Sequence, residues 1–226
     1  MPLLTKTAAK AALADLARLN VRPGLIELYA FPPAYRAGKR WRKKRLIGPL
    51  LSLPLRAWGN LFAPPGNWDL ATSHFSDHLT YRRMRDLKEN MADFRSSDWY
   101  KLAAQELQRT GAFRYKQRFM RSVAELDAFF ADYLVGMLTS MQRSGYVHTT
   151  GGDCPGVMIG RYGELIKSPG GRHRWAAATL LELPAVPVEI EHIHPLWLKR
   201  IGGGFSGASL QRLQQSLRDL QVRYTT

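Results

Sequence analysis

Proline governs the first third of this chain. Seven of its 13 prolines, Pro23, Pro32, Pro33, Pro49, Pro54, Pro64 and Pro65, fall between Val21 and Asn67. Each fixes φ near −65° and withholds a backbone N–H, so the stretch can hold neither a long helix nor a central strand. It predicts an irregular wrap with one short helix around Leu50 to Leu61. The wrap is also of one sign. No acidic residue lies between Glu27 and Asp69, and Arg36 to Arg45 carries seven basic residues in ten.

That run sets the electrostatics. Over 226 residues the chain has 33 Lys plus Arg against 18 Asp plus Glu, a formal charge of +15, so its natural partners are polyanions. Arg40, Arg42, Lys43, Lys44 and Arg45 are the polyanion-binding candidates. With Trp41 and the apolar Leu46 to Leu55 that follow, they suit an anionic membrane surface, at about 1 kcal/mol per basic residue. Nucleic-acid phosphates fit the charges equally, and a solvated loop is the plain alternative. A phosphorylated glycan is a third polyanion of the right kind. The single Cys154 cannot form an intramolecular disulfide, which fits a reducing compartment. No segment reaches the ~20 apolar residues of a bilayer span. The expected location is the cytoplasm, peripherally on the inner membrane surface.

Hydrophobic periodicity divides the rest. Residues 5 to 20 read as a short amphipathic helix. Ser96-Ser97-Asp98 caps a helix from Trp99 to Arg109 that stops at Gly111. Ser122-Val123-Ala124-Glu125 is a capping box, followed by a core stripe from Leu126 to Met141 that ends at Gly145. From 146 the period changes. Val157 to Gly160 and Glu164 to Lys167 flank Arg161-Tyr162-Gly163 as a β-hairpin, a helix follows from His173 to Leu183, and Val186 to Ile193 alternates as a strand in which Pro187 marks either a sheet edge or a position near the strand's start. Gly202-Gly203-Gly204 reads as a flexible joint before a last helix to Arg223. The expected fold class is α+β: a small mixed sheet with packed helices, preceded by a mostly helical region. The expected divisions are a basic arm over 1–67, a helical region over 68–145 and a sheet domain over 146–226.

The strongest functional signal is the turn between that hairpin and its helix, Gly170-Gly171-Arg172-His173-Arg174. Two glycines lead into a helix whose first turn is basic. Cations there oppose the helix dipole by a few tenths of a kcal/mol or more, a cost that a bound anion would offset.

This strand, turn, helix and returning strand resemble the ParB/sulfiredoxin superfamily. Gly171-Arg172-His173-Arg174-Trp175-Ala176-Ala177-Ala178 and Val186-Pro187-Val188 are similar in order and spacing to the ParB signature, and Gly170-Gly171-Arg172-His173-Arg174 to the sulfiredoxin turn. The turn is also similar to that of the superfamily's free-serine kinases. The match covers residues 150 to 200. Trp68-Asp69 and Ser144-Gly145-Tyr146 also resemble elements of a group of bacterial proteins with a helical N-terminal half. The superfamily resemblance implies a nucleoside di- or triphosphate (ATP, ADP or CTP, with Mg2+) held by Gly170, Gly171, Arg172, His173 and Arg174. It implies a phosphotransferase acting near an anionic membrane or glycan, or else a non-enzymatic nucleic-acid binder of the ParB kind. Arg172 stands where sulfiredoxins carry their cysteine, so sulfinic-acid reduction is not expected. Gly170 stands where many relatives carry Asp, and the chain after Arg174 is too short for the ParB DNA-reading domain.

Phosphoryl transfer asks for a carboxylate near the acceptor. Glu164 and Glu191, on strands adjoining the turn, and Asp69, in the Trp-Asp element, are the catalytic candidates. His192 and His194 lie two apart on a strand and share a face. With His148, Cys154 or His173 they would make a metal site only if carboxylates joined them, and no spacing provides that, so no metal is expected there.

Overall fold

The computed structural model describes residues 4–32, 54, 57–147 and 154–226. The fold is α+β with a six-stranded mixed sheet. Two compact units form, and neither is a consecutive stretch. A sheet unit takes Met1–Phe75, Thr150–Gly171 and Pro184–Thr226, and a helical unit takes Ser76–Thr149 and Arg172–Leu183. The sequence reading places three consecutive segments. The difference arises because strand pairing is non-local and draws the N-terminal segment onto strands more than a hundred residues later.

In the sheet unit, β1 (Arg18–Val21), β2 (Leu28–Tyr29), β3 (Ser73–His74), β6 (Gly156–Ile159), β7 (Leu165–Lys167) and β8 (Val186–Ile193) are ordered β1-β8-β6-β7-β2-β3. The β6–β7 hairpin is antiparallel, and β8 runs parallel to β6. Its turn places Gly163 at φ +85°, a conformation that glycine adopts without strain. Three of the six strands, β1, β2 and β3, come from segments that the sequence reading leaves as helix or irregular chain. The helix read over 5–20 stops early. Thr5 caps α1 (Lys6–Leu13), Ala14 takes φ +49°, and after a short 3-10 turn the chain is extended from Arg18. Leu19 and Val21 decide it: two residues apart, they share one face only in a strand, and both are buried opposite Val188 and Val186. The outer edge of β1 is covered by the C-terminal helix, where the Asn20 N–H donates to Gln221 Oε1 at 2.9 Å.

The short helix read around Leu50 to Leu61 falls partly outside the described residues, and 57–59 are helical. Beyond β8, α7 (Pro195–Arg200) and α8 (Gly207–Arg223) flank the triple glycine. That run is not a loose joint. Gly203 and Gly204 are buried, and their N–H groups donate to the Leu198 and Ser209 carbonyls at 2.8 and 3.0 Å.

The helical unit holds α2 (Leu79–Glu89), α3 (Asp98–Thr110), a two-stranded hairpin of β4 (Phe113–Tyr115) and β5 (Arg118–Met120), α4 (Val123–Ala128), α5 (Gly136–Ser144) and α6 (Arg172–Leu180). Ser97 caps α3 and Gly111 ends it at φ +76°. Ser122 Oγ caps α4. Between α4 and α5 the helix widens to π geometry over Phe129–Val135. The stripe is core: Leu126, Phe129, Phe130, Leu134, Leu138 and Met141 are buried. The helix read over 173–183 starts one residue earlier and ends at Leu180, with Glu182 at φ +52° and Leu183 N–H returning to the Ala178 carbonyl. Its neighbours within the unit are α2 and α5.

Candidate functional site

The glycine–basic turn divides between the two units. Gly170 and Gly171 close the sheet unit, and Arg172, His173 and Arg174 open α6 in the helical unit.

On the helical side, α2, α3 and β4 bring a dense set of donors and cations to Arg172 and His173. His78 caps α2, its Nδ1 accepting the Thr80 N–H at 3.0 Å. Its Nε2 lies 3.1 Å from the Arg172 guanidinium. Burial first, then Arg172 and Arg82, lowers the His78 pKa.

His173 stands in an aromatic nest. Tyr115 Oη lies 2.8 Å from its Nε2, and the Trp99 ring stacks on it at 6.2 Å and 23°. Burial, followed by Lys116, Arg172, Arg83 and His78, lowers its pKa to about 4, so the ring is neutral at pH 7. Arg83 lies over Trp99 at 5.3 Å, and burial lowers its pKa despite the pull of Glu106. Lys116 lies over Tyr115 and Arg118 over Tyr133. Burial raises the Tyr115 pKa, so it stays a neutral phenol. The π segment supplies Phe129 and Tyr133 to the same nest, with Phe129 4.8 Å from Tyr115. Trp99 is buried, and its Nε1–H has no acceptor. Among the described residues, none of Arg83, Lys116, Arg118 or Arg172 forms an ion pair. Arg174 does not join this set. Its guanidinium donates to the Val147 carbonyl at 2.9 Å and lies over Tyr146 at 4.8 Å.

On the sheet side, the turn is tied down by a buried lysine. Lys167 Nζ donates to the carbonyls of Gly156, Ser168 and Gly170, and Lys167 has no exposed surface. Gly171 takes φ +65°, and a Cβ there would meet Pro155 Cα at 3.2 Å. Glu191 stands at this turn. The extra residue of a β-bulge between β6 and β8, it accepts from Ser168 Oγ at 2.9 Å. Its Oε1 lies 3.6 Å from where a Cβ on Gly170 would sit, so a carboxylate occupies the neighbourhood that Gly170 itself leaves without one. Lys6, its pKa lowered by burial against the pull of Glu191, belongs to the same face of the sheet, as does the Lys10–Glu189 ion pair.

The other carboxylate candidates hold structure. Asp69 is buried and accepts from Arg161 Nε and Nη2 at 2.8 Å, and from its N–H at 2.9 Å. Burial alone would raise its pKa; the Arg161 hydrogen bonds and His194 outweigh that and hold it low. Glu164 folds back on its own turn to accept the Tyr162 N–H at 2.9 Å. His192 and His194 share a face as expected, both against Trp68. His192 Nδ1–H donates to the Leu61 carbonyl, and His194 Nε2–H to that of Gly66. His148 lies outside the described residues, and among those described no three His, Cys, Asp or Glu side chains gather as a metal would require. Cys154, its pKa raised by burial, donates to the Pro187 carbonyl. Arg40, Arg42, Lys43, Lys44 and Arg45 also lie outside the described residues.

Several site residues have no signature in the sequence. His78, Arg83, Trp99 and Tyr115 sit on separate elements, and only packing gathers them. Lys167 had one weak signal, a lysine ending an apolar strand just before a Gly-Gly turn. Comparison of the chain with protein-family models, curated proteins and solved structures finds no match.

Proposed function

We propose that the protein binds a nucleotide through its phosphates at the first turn of α6, with Arg172 as the primary donor and His78, Arg83 and His173 around it. The observation that carries this is the gathering of Arg172 and Arg83, neither in an ion pair among the described residues, beside the buried ring of His173 at the start of α6. The acceptor-less Trp99 N–H and the surplus of unpaired cations point the same way. Each group would donate to a phosphate oxygen, and charge-assisted bonds of this kind are about twice as strong as neutral ones. The aromatic nest would exclude water from one side of the anion and strengthen its attraction to the cations. The residues fit a phosphate. They do not form a cage for Mg2+, and no step is assigned to a metal.

For the reaction class, the superfamily resemblance supports phosphoryl transfer. Thermal unfolding of the full chain with ATP, ADP, CTP and inorganic pyrophosphate, each with and without Mg2+, tests the binding. A ligand at 100 times its Kd stabilises by about 2.7 kcal/mol. Arg172→Gln is expected to abolish the shift. No shift with any of these ligands overturns the reading.

A further inference from the structure

The β4–β5 hairpin carries a surface that the nucleotide reading does not use. Between Gly111 and Ala124 the chain has Arg114, Lys116, Arg118 and Arg121 and no acid. Register pairs Phe113 with Met120, Arg114 with Phe119, and Tyr115 with Arg118. Phe113 and Met120 are buried, so the alternation of a strand turns Arg114 and Phe119 to solvent. Phe119 is 52% exposed, a large ring left out of the core although the inner face of the same hairpin is apolar. The Arg114 guanidinium lies over that ring at 5.2 Å, and Arg114 Nε donates to the Lys116 carbonyl at 3.1 Å. The result is an exposed aromatic ring held with a guanidinium over one face and the other face open to a stacking partner, and among the described residues none of the four cations forms an ion pair.

We propose that this hairpin is a docking surface for single-stranded nucleic acid, with a base stacked on Phe119 and backbone phosphates paired with Arg114, Lys116 and Arg121. The ring supplies a π face for any base, and the cations of the same hairpin would pair with the flanking phosphates. Charge complementarity alone would also admit an anionic bilayer. The tip of the hairpin argues against it. Lys116 and Gln117 form the tip, whereas a membrane-entering loop leads with apolar side chains. The ring instead lies back along the strand under a guanidinium. The inference is independent of the nucleotide site, whose donors lie on the other side chains of the nest.

Fluorescence anisotropy with labelled 20-mer oligo(dT) and oligo(U), using the full chain, tests it. Phe119→Ala is expected to weaken binding roughly tenfold without changing the salt slope, because a base loses its stacking partner and no charge is removed. Replacing Arg114, Lys116 and Arg121 together by Gln is expected to reduce the slope of log K against log salt by about 0.7 per residue. Phe119 is exposed, so its loss should leave the unfolding midpoint unchanged, which a denaturation curve checks. Equal oligonucleotide affinity for wild type and Phe119→Ala overturns the proposal. So does binding to phosphatidylserine vesicles that is lost in Phe119→Ala while no oligonucleotide binds. Because Arg172→Gln touches none of these residues, failure of the nucleotide reading and failure of this one are separate results.

Discussion

At the scale of single residues, the chemistry of this chain is written in hydrogen-bond valence. Arg172 can only donate, and among the described residues it forms no ion pair although it stands in the first turn of a helix. Lys167 shows the same logic in a structural role. A fully buried ammonium is costly unless its protons are satisfied, and three carbonyls of the glycine turn satisfy it. Lys167→Met keeps the stem and removes the donors; the Gly156 carbonyl keeps the Ser168 N–H, while those of Ser168 and Gly170 lose this partner. Each buried unsatisfied group costs about 1–3 kcal/mol. The variant is expected to lose roughly 3 kcal/mol of stability. Urea unfolding with an unchanged m-value would show it, and a loss below about 1 kcal/mol would mean that the carbonyls find other partners.

At the scale of elements, local signals and pairing divide what the sequence can show. The helix over 98–110 was legible at both ends because its punctuation is local: Ser97 Oγ accepts the Tyr100 N–H, and Gly111 turns left-handed. Ser97 also donates to the Phe94 carbonyl at 2.6 Å and is fully buried. Ser97→Ala removes the cap, while the Phe94 carbonyl keeps the Ser97 N–H, and should cost about 1 kcal/mol in chemical denaturation. A cost near zero would show that water replaces the hydroxyl. The β6–β7 hairpin and β8 were equally legible from alternation and turn residues. β1 and β2 were not, because four- and two-residue strands carry too little pattern, and their partners lie at Val186–Glu189 and Lys167. The site was half legible for the same reason. Gly170 to Arg174 is a contiguous motif, and the partners of its histidine, Tyr115 and Trp99, are not. The π turn over Phe129–Val135 was invisible too, since its stripe of apolar residues satisfies ordinary helical spacing.

At the scale of the whole molecule, burial of neutral histidines makes stability depend on pH well above the carboxylate range. In the fold the pKa values of His173 and His192 are lowered to about 4 and about 3, in both cases first by burial and then by neighbouring cations. In the unfolded chain both titrate near 6.5. Below about pH 6.5 the unfolded chain therefore takes up protons that the native state refuses. The contribution of these neutral rings is fully present above that pH and is lost as pH falls towards 4 and 3. Asp69, its pKa lowered, adds to the loss only below about pH 4. With two protons in play, stability should fall by up to about 2.7 kcal/mol per pH unit between roughly pH 6 and pH 4. Urea midpoints measured from pH 7.5 to 4.5 give the slope. His192→Asn keeps a donor for the Leu61 carbonyl and does not titrate, so it should halve that slope while leaving His173 in place. Midpoints that stay level down to pH 5 would show that water or a local opening already protonates both rings in the native state. Phosphate binding at Arg172 would oppose the trend at His173, because an adjacent anion favours the imidazolium. With saturating nucleotide, the decline attributable to His173 should therefore shrink while that of His192 persists.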